Sequence, residues 1–162
     1  MIQRTLIFMK PDAVKRALVG KILQRFEDVG LKIVASKMVW ANEELAKKHY
    51  YDVAERHGEK VFRINADYLK SGPVIAFCLE GVDSISLVRK LVGSTYPNDA
   101  IPGTIRGDYC HISKAYANAN DKTVGNLVHS SANPEEAEME LNLWFTKEEL
   151  HSYDVVHEAH TQ

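Results

Sequence analysis

The chain has 162 residues, 45% of them hydrophobic and 26% charged, which fits a single soluble domain over residues 1–162 with room for a proper core. A formal charge of −2 supplies no overall basic footprint, and this argues against an anionic-membrane binder and against a specific nucleic-acid partner. No apolar run approaches membrane-spanning length, and "TLIFM" is too short for a secretory segment and meets Lys10 at once. The two cysteines, Cys78 and Cys110, each stand alone in sequence, so free buried thiols and a cytoplasmic protein are expected.

In chain order, "RTLIFMK" reads as a buried strand stopped by Pro11-Asp12. Val19, Ile22, Leu23 and Phe26 mark one face of a helix, with Gly30 at its C-terminal end. "LKIVASKMVW" is a second strand. Asn42 is placed to cap one helix through "EELAKKHYYDVAER", with Glu43 and Glu44 in its first turn. A short helix is expected between Gly58 and Ser71, and "VIAFCL" is the third strand. "DSISLVRKLVG" repeats apolar residues at helical spacing, and a long Gly/Pro/Thr loop follows through "GSTYPNDAIPGTIRGDY". A fourth strand is expected near "YCHIS", then an exposed excursion through "KAYANANDKTVG", a helix from Pro134 and a short "KEEL" helix. This β-α-β-α-β-α-β order predicts α/β or α+β layering, with helices covering one face of a small sheet.

The helix from Pro134 carries the first chemical signal. Ala137, Leu141, Trp144 and Phe145 form its apolar stripe, and Glu140 falls in or beside it. A carboxylate there needs a hydrogen-bond partner, and His129 is a candidate. A carboxylate on one nitrogen of a neutral imidazole fixes its tautomer and leaves the other lone pair for attack. The alternative is a glutamate that snorkels to the helix edge. Lys10, Arg89, Thr95, Thr104 and Arg106 are potential phosphate-binding groups, each of which alone reads as surface. No G-x-x-x-x-G-K-[ST] occurs, which argues against a P-loop enzyme. His49, within a helix, and His57, at its end, read as packing or capping groups, and His151, His157 and His160 as a polar tail.

The blocks "KPDAVKRALVGKILQRFE", "SGPVIAFCLEG", "GSTYPNDAIPGTIRGDY", "NLVHSS" and "EMELNLWF" together resemble nucleoside diphosphate kinases over nearly the whole chain. The resemblance implies a ferredoxin-like sandwich with a four-stranded antiparallel sheet and helices packed around it. It implies ATP and other nucleoside di- and triphosphates as substrates, Mg²⁺ carried on their phosphates without a protein metal site, and a homo-oligomer, tetramer or hexamer. The γ-phosphate would pass through a phosphohistidine on His129 to a nucleoside diphosphate, with Glu140 and Ser131 as its partners. Lys10, Tyr50, Arg89, Thr95 and Arg106 match the family's phosphate-site residues, and Asn126 and Lys10 match its sugar-reading groups. Phe62, next to Val61, is the expected base-stacking residue.

The sequence departs from the family pattern at several places. Ser130 and Ala132 stand where the family's H-G-S-D motif has Gly and Asp, and Tyr96 stands where Asn is common. An extra segment around residues 113–125 precedes Asn126. The alternative reading is therefore a catalytically impaired nucleotide-binding or scaffold member of the same fold.

Overall fold

A computed structural model describes residues 1–161. Its framework is a four-stranded antiparallel sheet in the order β2-β3-β1-β4, built from β1 (Ile2–Met9), β2 (Lys32–Val39), β3 (Val74–Val82) and β4 (Val128–Ser130). β1 lies between β3 and β4, and Thr5 to Met9 are all buried. A strand covered on both faces has no use for alternation, which accounts for the continuous apolar run "LIFM".

The helices are α1 (Pro11–Lys15), α2 (Val19–Glu27), α3 (Glu43–His49), α4 (Val53–His57), α5 (Glu59–Lys70), α6 (Ser84–Val92), α7 (Ile105–Tyr109), α8 (Lys114–Ala119), α9 (Pro134–Trp144) and α10 (Glu158–Thr161). They cover both faces of the sheet, where the sequence predicts cover on one. Ile7, Met9, Phe77 and Leu79 meet Ile22 and Phe26 of α2 and Val88 and Val92 of α6. On the other face Leu6, Phe8, Ala76 and Cys78 meet Ala46 of α3, Leu69 of α5 and Trp144 of α9. Strand side chains alternate between faces, so two helical layers share each strand's apolar residues.

Several local expectations change. The fourth strand is not at "YCHIS" but at Val128–Ser130, the segment that carries His129. Of "YCHIS", Tyr109 ends α7, which Thr104 caps by accepting the Gly107 N–H at 3.1 Å, and residues 110–113 are neither helix nor strand. The free edge of β1 is filled from the other side of the insert. The single helix expected over "EELAKKHYYDVAER" breaks after His49 into α3 and α4, although Asn42 caps it as expected by accepting the Leu45 N–H at 2.8 Å. The short helix expected after Gly58 is the twelve-residue α5. The insert forms α8, capped by Ser113 and with Ala117 buried. The tail beyond β4 and α9 packs back on the body, where Lys32 binds Glu158 at 2.8 Å and His157 meets the Gly30 carbonyl at 3.2 Å. No helix among the described residues is long and apolar enough to cross a membrane.

Candidate active site

His129 stands directly opposite Phe8 in the β4–β1 pairing. Opposed residues on an antiparallel pair share a face, and the two rings stack with centroids 4.7 Å apart at 19°. The imidazole is 21% exposed, and its Nε2 lies 2.7 Å from Glu140 Oε1. Glu140 projects from the buried stripe of α9, next to Ala137 and Trp144, so it does not snorkel. Its Oε2 accepts the Ser131 hydroxyl at 2.6 Å, and Ser131 is fully buried. Asn133 caps α9 by accepting the Glu136 N–H at 2.8 Å, and the Glu136 carboxylate accepts the Ala132 N–H. Such a cap contributes about 1 kcal/mol, and it holds the segment that joins Ser131 to Glu140.

Burial holds the His129 imidazole well below its usual value, and the charges of Lys10, Arg106 and Arg89 lower it further. Burial raises the Glu140 carboxyl, while the Ser131 hydrogen bond acts in the opposite sense. A neutral His129 then donates Nε2–H to the Glu140 carboxylate. Among the described residues nothing engages Nδ1, which keeps its lone pair.

The residues before His129 are strained. Leu127 is fully buried with φ of 66°, and Val128 N–H bonds to Asn126 O at 2.8 Å across it, which makes a γ-turn. A left-handed leucine costs on the order of 1–3 kcal/mol and persists only when its surroundings over-determine it. Here they do. The Lys10 N–H donates to Leu127 O at 2.7 Å, and Asp12 Oδ2 accepts the Leu127 N–H at 3.2 Å. Arg106 donates from Nε to Asn126 O at 3.0 Å and from Nη2 to Val128 O at 2.6 Å. Its Nη1 reaches Gly93 O and Ser94 O at 3.0 and 3.1 Å. With four of its five N–H groups bound to carbonyls, Arg106 is a strut between the Gly93–Ser94 segment and the Asn126–Val128 turn, and keeps one N–H and its charge for a ligand.

Lys10 follows β1, and its Nζ donates to Asn126 Oδ1 at 2.7 Å. Asn126 passes the contact on, donating from Nδ2 to Thr95 O at 2.9 Å. Burial lowers Lys10 to about 8, with Arg106 adding to the effect, and burial beside Arg89 lowers Arg106 to about 10. A cluster of cations short of counter-charge is prepared for a polyanion. Arg89 on α6 and Thr95 are exposed at its margin. Tyr50 ends α3, and Phe62 on α5 is half-buried against the α3 side of the core while Val61 is exposed.

Sequence reasoning missed two groups. His49, which reads from sequence as a packing or capping residue within a helix, is buried with its Nδ1 3.7 Å from Glu140 Oε1 and its ring 4.5 Å from that of His129. The available signal was its position three residues after Ala46, on the buried face of α3. Asp12 entered only as a strand-stopping residue, yet it holds the γ-turn.

Among the described residues, His49, His129 and Glu140 form a cluster whose candidate ligand atoms lie within 4.8 Å of one another. The 2.7 Å approach of His129 to Glu140 is that of a hydrogen bond. A buried set with two imidazoles is also a poor match for a hard, oxygen-seeking ion. A surface cavity of about 500 Å³ lies nearby, lined by Arg89, Ala132 and Asn133, and His129 is not part of its wall.

The model of the nucleoside diphosphate kinase family matches residues 3–150. A nucleoside diphosphate kinase of Borreliella burgdorferi is 46% identical over 155 residues, covering 94% of this chain and 93% of that protein. One of Thermococcus kodakarensis is 47% identical, covering 94% and 82%. A solved structure of the enzyme from Borrelia burgdorferi, a transition state mimic with bound vanadate and ADP, superposes with a TM-score of 0.96 at 44% identity, covering 99% of this chain and 96% of that one. On this likeness in sequence and fold, the chain belongs to the nucleoside diphosphate kinase family.

Proposed function

We propose that this chain transfers the γ-phosphate of ATP, or of another nucleoside triphosphate, to a nucleoside diphosphate by a ping-pong route through His129. The observation that carries the reading is the imidazole itself. Nε2 is held by the buried Glu140–Ser131 pair, and Nδ1 is free under the charges of Lys10, Arg106 and Arg89. In the first half-reaction Nδ1 attacks the γ-phosphorus, an N–P bond forms, and the bond to the β-phosphate oxygen breaks. The ring gains positive charge during attack, and the Glu140 carboxylate on Nε2–H offsets it. Lys10, Arg89 and Arg106 stabilise the charge on the transferring oxygens. The second half-reaction reverses these steps with a new diphosphate.

Lys10 and Asn126 are suited to the sugar hydroxyls, since Asn126 Oδ1 accepts from Lys10 and its Nδ2 binds Thr95 O. Tyr50 and Thr95 complete the phosphate end, and Phe62 offers a half-buried ring to the base. The donor set fits Mg²⁺ that arrives with the nucleotide, because the phosphate end is cationic and, among the described residues, has no cage of oxygen ligands. Bound with the nucleotide, Mg²⁺ would supply positive charge to the phosphate oxygens.

The impaired-binder alternative rests chiefly on the altered loop after His129, with Ser130 and Ala132. The contacts of Asn133 and Glu136 supply the loop with its own support, which favours the active reading. The free cysteines favour a cytoplasmic setting, and exposed Met38 and Trp40 on and beside edge strand β2 favour a homo-oligomer. Initial rates with Mg²⁺, ATP and GDP test the function. Parallel double-reciprocal lines are expected, and intersecting lines would contradict the phosphohistidine route.

A further inference from the structure

His49 is the one buried imidazole beside the candidate site to which the proposed mechanism gives no work. It ends α3 with its side chain 1% exposed. Its ring meets that of His129 edge to face, at 4.5 Å and 84°, while Phe8 stacks on the same His129 ring at 4.7 Å and 19°. Phe8 and Trp144 pack on His49 in turn, at 5.1 and 5.7 Å. The nucleophilic ring is thus held between an aromatic face and a second imidazole.

Hydrogen bonding sets the state of that second imidazole. Trp144 Nε1–H can only donate, and it lies 3.4 Å from His49 Nδ1. Nδ1 must therefore accept, which puts the His49 proton on Nε2, a buried atom without a partner among the described residues. The 3.7 Å approach of Nδ1 to Glu140 Oε1 is then neither a hydrogen bond nor an ion pair. Burial and the neighbouring His129 hold His49 down to about 3, so it is neutral wherever an enzyme of this kind works. Glu140, His129, Lys10, Asp52 and Tyr50 are the ionisable groups whose charges reach it or which pack on its ring. A charged imidazole there would compete with His129 for Glu140 Oε1. A neutral one excludes water from that oxygen and leaves it to Nε2 of His129.

We infer that His49, oriented by Trp144, is a positioning residue for phosphoryl transfer, keeping the His129 ring and Glu140 in register for attack by Nδ1. The inference rests on the proposed role of His129 but makes a separate claim. His49 touches no substrate and takes no proton.

The test compares native protein with His49→Ala and His49→Asn, the latter because Asn Oδ1 can replace Nδ1 as the acceptor for Trp144. Phosphorylation by labelled ATP is followed in single turnover, quenched in alkaline detergent, and ADP affinity is measured separately. His49→Ala is expected to slow phosphorylation about tenfold or more with ADP affinity changed by less than about twofold. His49→Asn is expected to recover most of the rate. Nitrogen NMR of the native protein is expected to show His49 neutral, with its proton on Nε2, from pH 5 to 8. A His49→Ala rate equal to native overturns the inference. So does a matching loss of rate and ADP affinity, an Asn variant no better than Ala, or a native His49 that titrates near neutral pH. A native protein that takes no label at all overturns the proposed function instead, which separates the two claims.

Discussion

Two regions flank the candidate nucleotide site, and they are held in different ways. On one side β4, the γ-turn and α9 enclose His129 with buried groups: Phe8, His49, Glu140, Ser131 and Arg106 are fixed by packing and by hydrogen bonds of 2.6 to 3.1 Å. On the other side α5, which carries Phe62, is tied to the insert by Lys60–Asp121 at 2.6 Å and by Thr123 donating to Asn65 at 2.8 Å. Lys60 and Asp121 are 73% and 72% exposed, so their pairing adds little. On the proposed reading, the contrast means that the chemistry is organised before substrate arrives, whereas the grip on the base is left adjustable. Groups that must meet a transition state gain most from preorganisation, and a base that varies among substrates gains from tolerance.

The largest expected effects lie in the rigid region. His129→Asn should remove transfer activity by on the order of 1,000-fold or more while nucleotide binding persists. Glu140→Gln keeps the shape but not the negative charge, and should cost about 100-fold in kcat. Ser131→Ala loses one hydrogen bond to that carboxylate and should cost about tenfold. Equal small losses for all three, read from steady-state rates, would break the contrast between the regions.

The pH profile sharpens it. His129 must be neutral to attack, and its value is lowered, so the acid limb of kcat/KM should fall below the ordinary histidine value of about 6.5. Lys10 must be charged to bind phosphate, and it is lowered to about 8, so activity should decline as pH rises through that value. Lys10→Arg should move the alkaline limb upward, since guanidinium keeps its charge.

Smaller effects belong to the adjustable region. Phe62→Ala should raise the nucleotide KM about fivefold with kcat nearly unchanged, as loss of one stacking contact does, while Val61→Ala should do nothing. The reverse pattern would assign the base to Val61. Smallest of all, Lys60→Ala should alter kcat and KM by less than about twofold. A large effect there would show that the insert controls the cleft.

Part of this arrangement is legible in the sequence. The apolar run "LIFM" marks a buried strand, and the periodicity of the helix from Pro134 puts Glu140 in or beside its apolar stripe, while only the fold decides between a contact with His129 and the helix edge. What escaped depends on contacts distant in sequence. β4 is three residues long and exists because the edge of β1 accepts it, so propensity near "YCHIS" could not compete. His49 turns inward where α3 ends, and Trp144, which fixes its tautomer, lies 95 positions away. Arg106 reads as a ligand for phosphate, and only the γ-turn beside it reveals the strut.

The measurement that bears most directly on the account is incubation of the purified protein with Mg²⁺ and γ-labelled ATP, with no acceptor, beside His129→Asn. The account predicts acid-labile, base-stable label on the native chain, near one group per chain, absent from the variant and chased onto added GDP. A native protein that binds ATP but stays unlabelled, or a variant that labels equally, would contradict it.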